Sequence, residues 1–466
     1  MSDLPFKTAS ELQALLRRRA VSAIEVTRAF LDRIERVDGR VNSYITVMAD
    51  AALRDARRLD RLRGPRGPLH GLPLAVKDLC ATKSARTTAG SKILAGWIPD
   101  FDATCVARWR GAGAVILGKL NLHEFAFGVT TDNPHYGPTR NPWDLARVPG
   151  GSSGGSGAAV AASLCAGAIG TDTGGSIRIP AGACGVVGLK PTYGRVSRFG
   201  VVPLSWSLDH VGPLAKTVGD AALLLAAMAG PDERDPTAST RRVDNYRAAT
   251  SRSPKGLTIG IPREYFFDLV DDEVRAAFDA AAATLKRIGL RVREVSIPSL
   301  IHTQPAEVAI MAAEAAAYHA RALATRPADF GPDVRALLEL GRLIPATSLV
   351  AAQRLRGQLA SEFAATFERV DALIVPGLVA PPPRIGDATM EVNRVAIGVP
   401  LALGYTMMPF NLTGLPSIAI PCGRARNGLP LGMQIAGRAF DEATIICIAH
   451  AYEQATEWHR RPELPA

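Results

Sequence analysis

Several features that would assign a protein to other classes are scarce or missing in this sequence. Its six cysteines are spread along 466 residues without a CxxC pair. This spacing argues against a zinc site and favours buried, reduced thiols over a disulfide framework, so no metal is predicted. The N-terminus lacks a basic segment followed by an apolar one, so we expect no signal peptide.

Long apolar segments and blocks of like charge are also absent. The longest uncharged stretch, residues 395–423, contains four prolines, which is typical of buried strands and turns rather than of a membrane helix. The net charge is +10, but arginine and lysine are scattered. Basic runs such as residues 17–19 therefore indicate solvated helix faces. We expect a cytoplasmic protein without a membrane or nucleic-acid partner, and a homodimer stays open.

The periodicity of apolar residues predicts an α/β protein. Capping boxes at Thr8 and Ser22 begin a helical segment over residues 8–63. Alternating apolar residues predict a strand over 72–77 that ends at Lys77. Further predicted elements are a strand at 114–117, an ordered loop over 121–150, a helix near 157–168, strands at 256–262 and 290–298 around a helix at 271–288, a helical block over 305–370, late strands in DALIVPG, PSIAIPCG and GLPLGMQIAG, and a last helix over 441–456.

Two glycine-serine segments carry the strongest chemical signal. They are GGSSGGS over residues 150–156 and GTDTGGSIR over residues 170–178. Backbone N–H groups can converge on one point only where side chains do not obstruct them. Thr173, Gly174 and Gly175, just before Ser176, are therefore candidates for an oxyanion hole.

A serine nucleophile needs a base, and the sequence shows no histidine in a nucleophile-elbow context. The eight histidines are predicted to be surface or satisfied polar residues: His70, His123, His135, His210, His302, His319, His450 and His459. A lysine can replace histidine if burial keeps its amine neutral. Lys77, at the end of an apolar strand, is the candidate base.

These segments resemble the amidase signature family, which includes fatty-acid amide hydrolase and the A subunit of glutamyl-tRNA amidotransferase. The resemblance covers most of residues 60–225 and returns at 405–450. It implies a large mixed, mostly parallel β-sheet covered by helices on both faces. It also implies one domain over 1–466, with N-terminal helices in 1–65, the signature core in 66–230, and the rest of the core in 231–466 with a helical block near 305–370.

The resemblance implies roles for individual residues. It matches Lys77 to the catalytic lysine, Ser152 to the serine that follows a cis peptide bond, and Ser176 to the nucleophile that forms an acyl-enzyme. It implies hydrolysis of a small-molecule amide, ester or carbamate without a cofactor. Asp172, Arg178, Ser153 and Ser156 are expected to support the turns, and the acyl-pocket candidates are Phe125, Ala126, Phe127 and Gly128, with a plain core role for the two phenylalanines equally compatible.

The A subunit of the amidotransferase is the main alternative, because residues 186–200 are close to it. Two departures favour a stand-alone amidase instead. Residues 403–405, Leu-Gly-Tyr, stand where that subunit carries an acidic residue, and Ala336 or Leu337 stands where it carries an arginine. Without these polar anchors, a buried glutamine would leave unpaired groups.

Two interpretations from other classes are less favoured. Residues 113–119 satisfy most of the GxxxxGK pattern of nucleotide-binding loops, but Leu120 replaces the magnesium-binding hydroxyl residue and the intervening residues predict a strand. A non-catalytic scaffold is disfavoured by the intact set of Lys77, Ser152 and Ser176, and it would not be labelled at Ser176 by a phosphonate probe.

Overall fold

The computed structural model describes residues 3–458 and 461–464, so His459 lies outside the described residues. Its α-helices are α1 (Ala9–Arg17), α2 (Ala23–Val41), α3 (Ala49–Asp60), α4 (Thr104–Gly111), α5 (Gly154–Ala161), α6 (Arg178–Cys184), α7 (Val218–Met228), α8 (Tyr246–Ala249), α9 (Asp272–Arg287), α10 (Thr303–Thr325), α11 (Pro332–Gly341), α12 (Ala346–Phe367), α13 (Val399–Gly404), α14 (Met408–Leu412) and α15 (Glu442–Gln454). None of the helices in these ranges is long and apolar enough to span a membrane.

The strands are β1 (Tyr44–Val47), β2 (Pro73–Lys77), β3 (Val115–Leu120), β4 (Asp132–Asn133), β5 (Gly137–Pro138), β6 (Gly167–Asp172), β7 (Val187–Lys190), β8 (His210–Ala215), β9 (Thr258–Pro262), β10 (Arg291–Val295), β11 (Ala372–Pro376), β12 (Thr389–Val392), β13 (Val395–Gly398), β14 (Ser417–Arg424) and β15 (Pro430–Gly437). One 11-stranded sheet has the order β1-β3-β2-β6-β8-β7-β14-β15-β11-β9-β10. Parallel pairs form two groups, β3-β2-β6 and β11-β9-β10, and the remaining neighbours pair antiparallel.

Helices cover both faces of this sheet, as alternation along β11 shows. Ala372 and Ile374 belong to one buried cluster, which also contains Phe278 of α9. Leu373 and Val375 point to the opposite face and belong to a second cluster, with Phe363 of α12. Because successive side chains of a strand point to opposite faces, the two clusters lie on opposite sides of the sheet. The predicted α/β class and the large mixed sheet are confirmed.

Most of the predicted elements form close to their expected bounds. Thr8 and Ser22 each complete a capping box, with Glu11 and Glu25 respectively. β2 ends at Lys77, and α9 lies between the parallel strands β9 and β10 as the βαβ pattern indicated. The helical block consists of α10, α11 and α12. All six cysteines are buried and free.

Three predictions of local structure need correction. The segment over 8–63 forms three helices, as its helical pattern predicted, but it also contains the strand β1, which pairs with β3. The helix predicted near 157–168 lies earlier, at 154–161, since residues 167–172 form the central strand β6. Within 395–423, two short helices, α13 and α14, stand where strands and turns were expected.

Candidate active site

The candidate base Lys77 lies at the end of β2, in the interior of the sheet. Its side chain is fully buried. The amine lies 2.8 Å from Ser152 Oγ, 2.9 Å from Ser153 Oγ and 2.8 Å from Thr171 Oγ1. Burial lowers the pKa of Lys77 to about 7, partly opposed by electrostatic interactions with Cys80, Asp172 and Asp209. The structure thus places this lysine where its neutral form is well populated near pH 7.

The hydrogen-bond pattern around the amine restricts where its lone pair can point. A neutral lysine amine has two N–H donors and one lone pair, so one of its three hydroxyl neighbours must donate to it. Ser153 Oγ already donates to Thr171 O at 3.1 Å. The donor to Lys77 is therefore Ser152 or Thr171, and Ser152 is the one in the turn beside the candidate nucleophile.

The two glycine-serine segments meet in the structure. The Gly151–Ser152 peptide bond is cis. Ser153 N donates to Ser176 O at 3.2 Å, which joins the two turns directly. Ser176 is 5% exposed, and Ser152 is fully buried. Lys77, Ser152 and Ser176 therefore lie on three neighbouring chain segments in one buried site.

A buried ion pair holds the turn that carries Ser176. Arg178 Nε lies 3.0 Å from Asp172 Oδ2, and Arg178 also donates to Asp172 Oδ1 at 3.0 Å. The same carboxylate accepts the backbone N–H groups of Gly175 at 2.8 Å and Ile177 at 3.1 Å. Burial alone would raise the pKa of Asp172, but the charge and hydrogen bonds of Arg178 outweigh it and lower that pKa. This geometry supports the structural roles expected for Asp172 and Arg178.

The predicted oxyanion-hole residues are not equivalent in this structure. Gly175 has a φ of +118°, and a Cβ there would lie 2.7 Å from the Met407 side chain, so glycine is required. Its N–H points to Asp172 Oδ1 and is therefore already used. Thr173 donates its hydroxyl to Asp209 Oδ1 at 2.6 Å, which fixes the start of the turn.

The loop with the acyl-pocket candidates braces the Ser152 turn from the other side. His123 N donates to Ser152 O at 3.1 Å. Phe125 is buried against the rings of His319 and Phe330, with centroid distances of 4.2 and 5.7 Å. Phe125 thus packs against the helical block.

The other three candidates lie in the same tightly packed segment. Ala126 and Phe127 are buried in the same apolar cluster as Phe125. A Cβ on Gly128 would lie 2.3 Å from the His123 ring, so this position has no room for a side chain.

The helical block packs against this site, which agrees with the lid or pocket wall that its helical pattern suggested. His123 Nε2 contacts Asp333 Oδ2 of α11 at 2.8 Å. Glu124 accepts the backbone N–H of Gly331 at 2.6 Å. These contacts tie α11 to the loop that braces Ser152.

Sequence reasoning missed three further features. Thr171 gave no local signal, because its role depends on β6 lying beside β2. Glu307 was missed because it lies in the alanine-rich helix α10, whose sequence pattern does not distinguish it from an ordinary buried helix. A cavity of about 210 Å³, lined in part by Thr171, Thr173 and Trp206, depends on contacts between distant segments.

The nucleotide-binding alternative does not fit the observed structure. Residues 115–120 form the buried strand β3 rather than a loop. Lys119 lies 3.0 Å from Asp78 Oδ1 and donates to Cys80 O at 2.8 Å, and its side chain and that of Asp78 are fully buried. A lysine committed to internal partners does not reach a phosphate.

Comparison with known proteins assigns the family. The amidase family model matches residues 25–446. The chain belongs to the amidase family. It is 44% identical to the A subunit of the glutamyl-tRNA(Gln) amidotransferase from Moorella thermoacetica, over 99% of each chain. The resemblance to the amidase signature family is confirmed.

Solved structures similar to this chain show the same fold. One comes from a vestigial protein complex that reveals the evolutionary origins of an s-triazine catabolic enzyme. It is 37% identical, with a TM-score of 0.94 over 98% of this chain and 100% of that chain. Another, an amidase, is 35% identical, with a TM-score of 0.87 over 96% of this chain and 99% of that chain. The chain is therefore an amidase-family hydrolase.

Proposed function

We propose that this amidase-family enzyme hydrolyses a carboxylic amide through an acyl-enzyme on Ser176, with Lys77 as the base and Ser152 as the proton relay. The observation that carries the proposal is the buried Lys77 amine, 2.8 Å from Ser152 Oγ, with a pKa of about 7. A base with a pKa near the operating pH is suited to proton transfer in the transition state. The same site holds Ser176, which is 5% exposed.

The proposed proton path runs from Ser176 through Ser152 to Lys77, and the contact that supports it is Lys77 Nζ to Ser152 Oγ at 2.8 Å. As Ser176 Oγ attacks the amide carbon, its proton passes to Ser152 Oγ, and the Ser152 proton passes to Lys77 Nζ. The C–N bond then breaks, and the same relay in reverse protonates the departing amine. In the second half, water attacks the ester carbon of the acyl-enzyme and gives a proton to the relay, and the relay returns this proton to Ser176 Oγ as the ester C–O bond breaks.

We assign the developing oxyanion to the backbone amides of Thr173, Gly174 and Ser176. Gly175, which the sequence also suggests, directs its N–H to Asp172 instead. Donors held in place before the reaction stabilise the oxyanion without reorganisation. Asp172 and Arg178 supply that rigidity.

Two substrate assignments draw on different observations. The chain is 44% identical to the A subunit of an amidotransferase, over 99% of both chains. This identity supports a glutaminase that works with a partner better than it supports the stand-alone amidase that the sequence motifs favour. The stand-alone amidase is supported by the residues around the site. Tyr405 lies in the segment where the amidotransferase chain is expected to carry an acidic residue, and its ring stacks on Tyr265 at 4.2 Å.

Ammonia release by the purified chain alone distinguishes these assignments. Free glutamine, simple primary amides and the corresponding esters would be assayed in parallel, with Ser176→Ala as the control. We expect the chain alone to hydrolyse amides other than glutamine, with no turnover by Ser176→Ala. Glutamine hydrolysis that requires an added partner protein would assign the glutaminase function instead, and turnover by Ser176→Ala would contradict the proposed nucleophile.

A further inference from the structure

Glu307 of α10 is a buried carboxyl group that the mechanism does not use. Its side chain is fully buried, and neither carboxyl oxygen has a hydrogen-bond partner among residues 3–458 and 461–464. Glu314, two turns further along α10, shows the usual pattern, because its carboxylate accepts the Ser205 hydroxyl and, at 3.1 Å, the Ser207 N–H. Burying a carboxyl without partners is costly, so Glu307 is out of place as a purely structural residue.

The carboxyl of Glu307 lies against the turn that carries the nucleophile. Its Oε1 is 2.9 Å from the point that a Cβ on Gly174 would occupy. Gly174 precedes Ser176 by two residues, and its amide is one of the proposed oxyanion donors. An unpaired polar group therefore lies beside the backbone where the acyl group of a substrate must be held.

The charged groups near Glu307 are already committed to other partners. Arg178 donates to Asp172, Met407 O, Gln434 and Asn411. Lys190 donates to the backbone oxygens of Pro191 and Leu415, and Arg356 donates to Ser207 O. None of these basic side chains is bonded to Glu307 in the described part of the chain.

The charge state of Glu307 indicates which chemical group would pair with it. Burial raises its pKa well above the usual range, and the positive charge of Arg178 only partly opposes this. The neutral acid has one O–H donor and one carbonyl acceptor side by side. An uncharged amide, with N–H and C=O adjacent, is complementary to that pair, whereas a cationic group would lie near Arg178 and Lys190.

We propose that Glu307 is a specificity residue that hydrogen-bonds a second, uncharged amide group on the acyl portion of the substrate, beyond the amide that is cleaved. This inference rests on the proposed function, because it presumes that the acyl group lies beside Gly174. It assigns the substrate class as diamide-like compounds. It also explains why α10 carries an unpaired carboxyl over the site.

Matched pairs of substrates test the proposal. Malonamide, succinamide and glutaramide would each be compared with the compound in which an isopropyl group replaces one carboxamide, at equal chain length. For the best diamide, corrected for its two equivalent ends, we expect wild-type kcat/KM to exceed that of the isostere by about 10- to 100-fold. Glu307→Leu should abolish this preference, and Glu307→Gln, which keeps an adjacent donor and acceptor, should restore it.

Controls separate this role from a structural one. Glu314→Gln changes a partnered carboxylate on the same helix, so it should lower Tm but leave the diamide preference unchanged. Glu307→Leu should leave Tm unchanged or raised, because it removes an unpaired buried polar group. Equal kcat/KM losses on the diamide and the isostere, or no loss on either, would overturn the proposal. Good turnover of glutamine that is lost in Glu307→Leu would also overturn the proposal. The groups of glutamine distal to its side-chain amide are an ammonium and a carboxylate, not a second uncharged amide.

A binding measurement keeps the inference separate from the proposed function. If wild type hydrolyses neither these compounds nor the amides, esters and glutamine of the first assay, the amide-hydrolase proposal fails. The Tm shift caused by each compound would then be compared in Ser176→Ala and in Ser176→Ala/Glu307→Leu. In Ser176→Ala, the diamide should shift Tm more than its isostere does, and adding Glu307→Leu should remove this difference if Glu307 contacts the diamide. Equal Tm shifts for the two compounds in Ser176→Ala would contradict that contact.

Discussion

At the scale of single residues, the account depends on a lysine that is kept away from water. Lys77 has three hydroxyl neighbours, and no carboxylate of the described residues bonds to its amine. Hydroxyl groups satisfy the N–H donors without stabilising the positive charge as an ion pair would. Burial therefore dominates and lowers the pKa of Lys77 to about 7.

The pH dependence of kcat/KM tests this environment. The active amine is the deprotonated form, so activity should be present above about pH 7 and fall roughly tenfold per unit below it. Lys216→Met is a matched control, because burial also lowers the pKa of Lys216, to about 8. The Lys216 amine lies away from the site, where it donates to Pro5 O and Lys7 O. The profile of this variant should keep the same inflection, and a flat wild-type rate from about pH 5 to 9 would count against a neutral lysine base.

The Asp172–Arg178 pair makes a prediction about stability. Asp172→Asn leaves the Arg178 charge buried without its counter-ion, which costs about 3–5 kcal/mol of unfolding free energy. The control is Asp279→Asn, which breaks an exposed pair with Arg275 on α9 and should cost no more than about 1 kcal/mol. Denaturant unfolding measures both, and equal small losses would show that Arg178 is not held by this charge.

At the scale of elements, the sequence predicted those whose signal is local. β2 follows from alternation over 72–77, and α9 from helical spacing between two strands. α5 was placed too late, because its start is set by distant contacts: Gly154 N donates to Thr131 Oγ1 at 3.0 Å. The sequence did not identify Glu307 and Thr171, because these residues reach the site only when α10 and β6 are brought to β2 in the folded chain.

The close packing of α5 can be measured through its glycines. A Cβ on Gly155 would lie 2.4 Å from Asn121 O and 2.7 Å from Ser43 O, both backbone atoms that cannot rotate away. Gly155→Ala should therefore lower the unfolding free energy by about 1–3 kcal/mol or more. In α7 the nearest atom to a Cβ on Gly219 is 4.0 Å away. Gly219→Ala should therefore change the unfolding free energy by no more than about 1 kcal/mol. Similar unfolding midpoints for the two variants would refute the packing argument.

At the scale of the whole molecule, one sheet brings the candidate site together from distant segments. β2 and β6 are neighbours in the sheet although they are far apart in the chain, and they carry Lys77 and Thr171. The helical block closes over them through His123, Glu124 and Phe125. The motifs and the family resemblance predicted the candidate residues Lys77, Ser152 and Ser176, but the position of this block, and with it Glu307, required the assembled fold.

The central claim is that Ser176 forms a covalent intermediate with the help of Lys77. Mass spectrometry after reaction with a fluorophosphonate tests it most directly, because the reagent traps an activated serine independently of the natural substrate. We predict a single adduct that peptide mapping places on Ser176, lost in Ser176→Ala and strongly slowed in Lys77→Ala, with the Tm of Ser176→Ala unchanged. An adduct on another residue, or an undiminished rate in Lys77→Ala, would contradict the account.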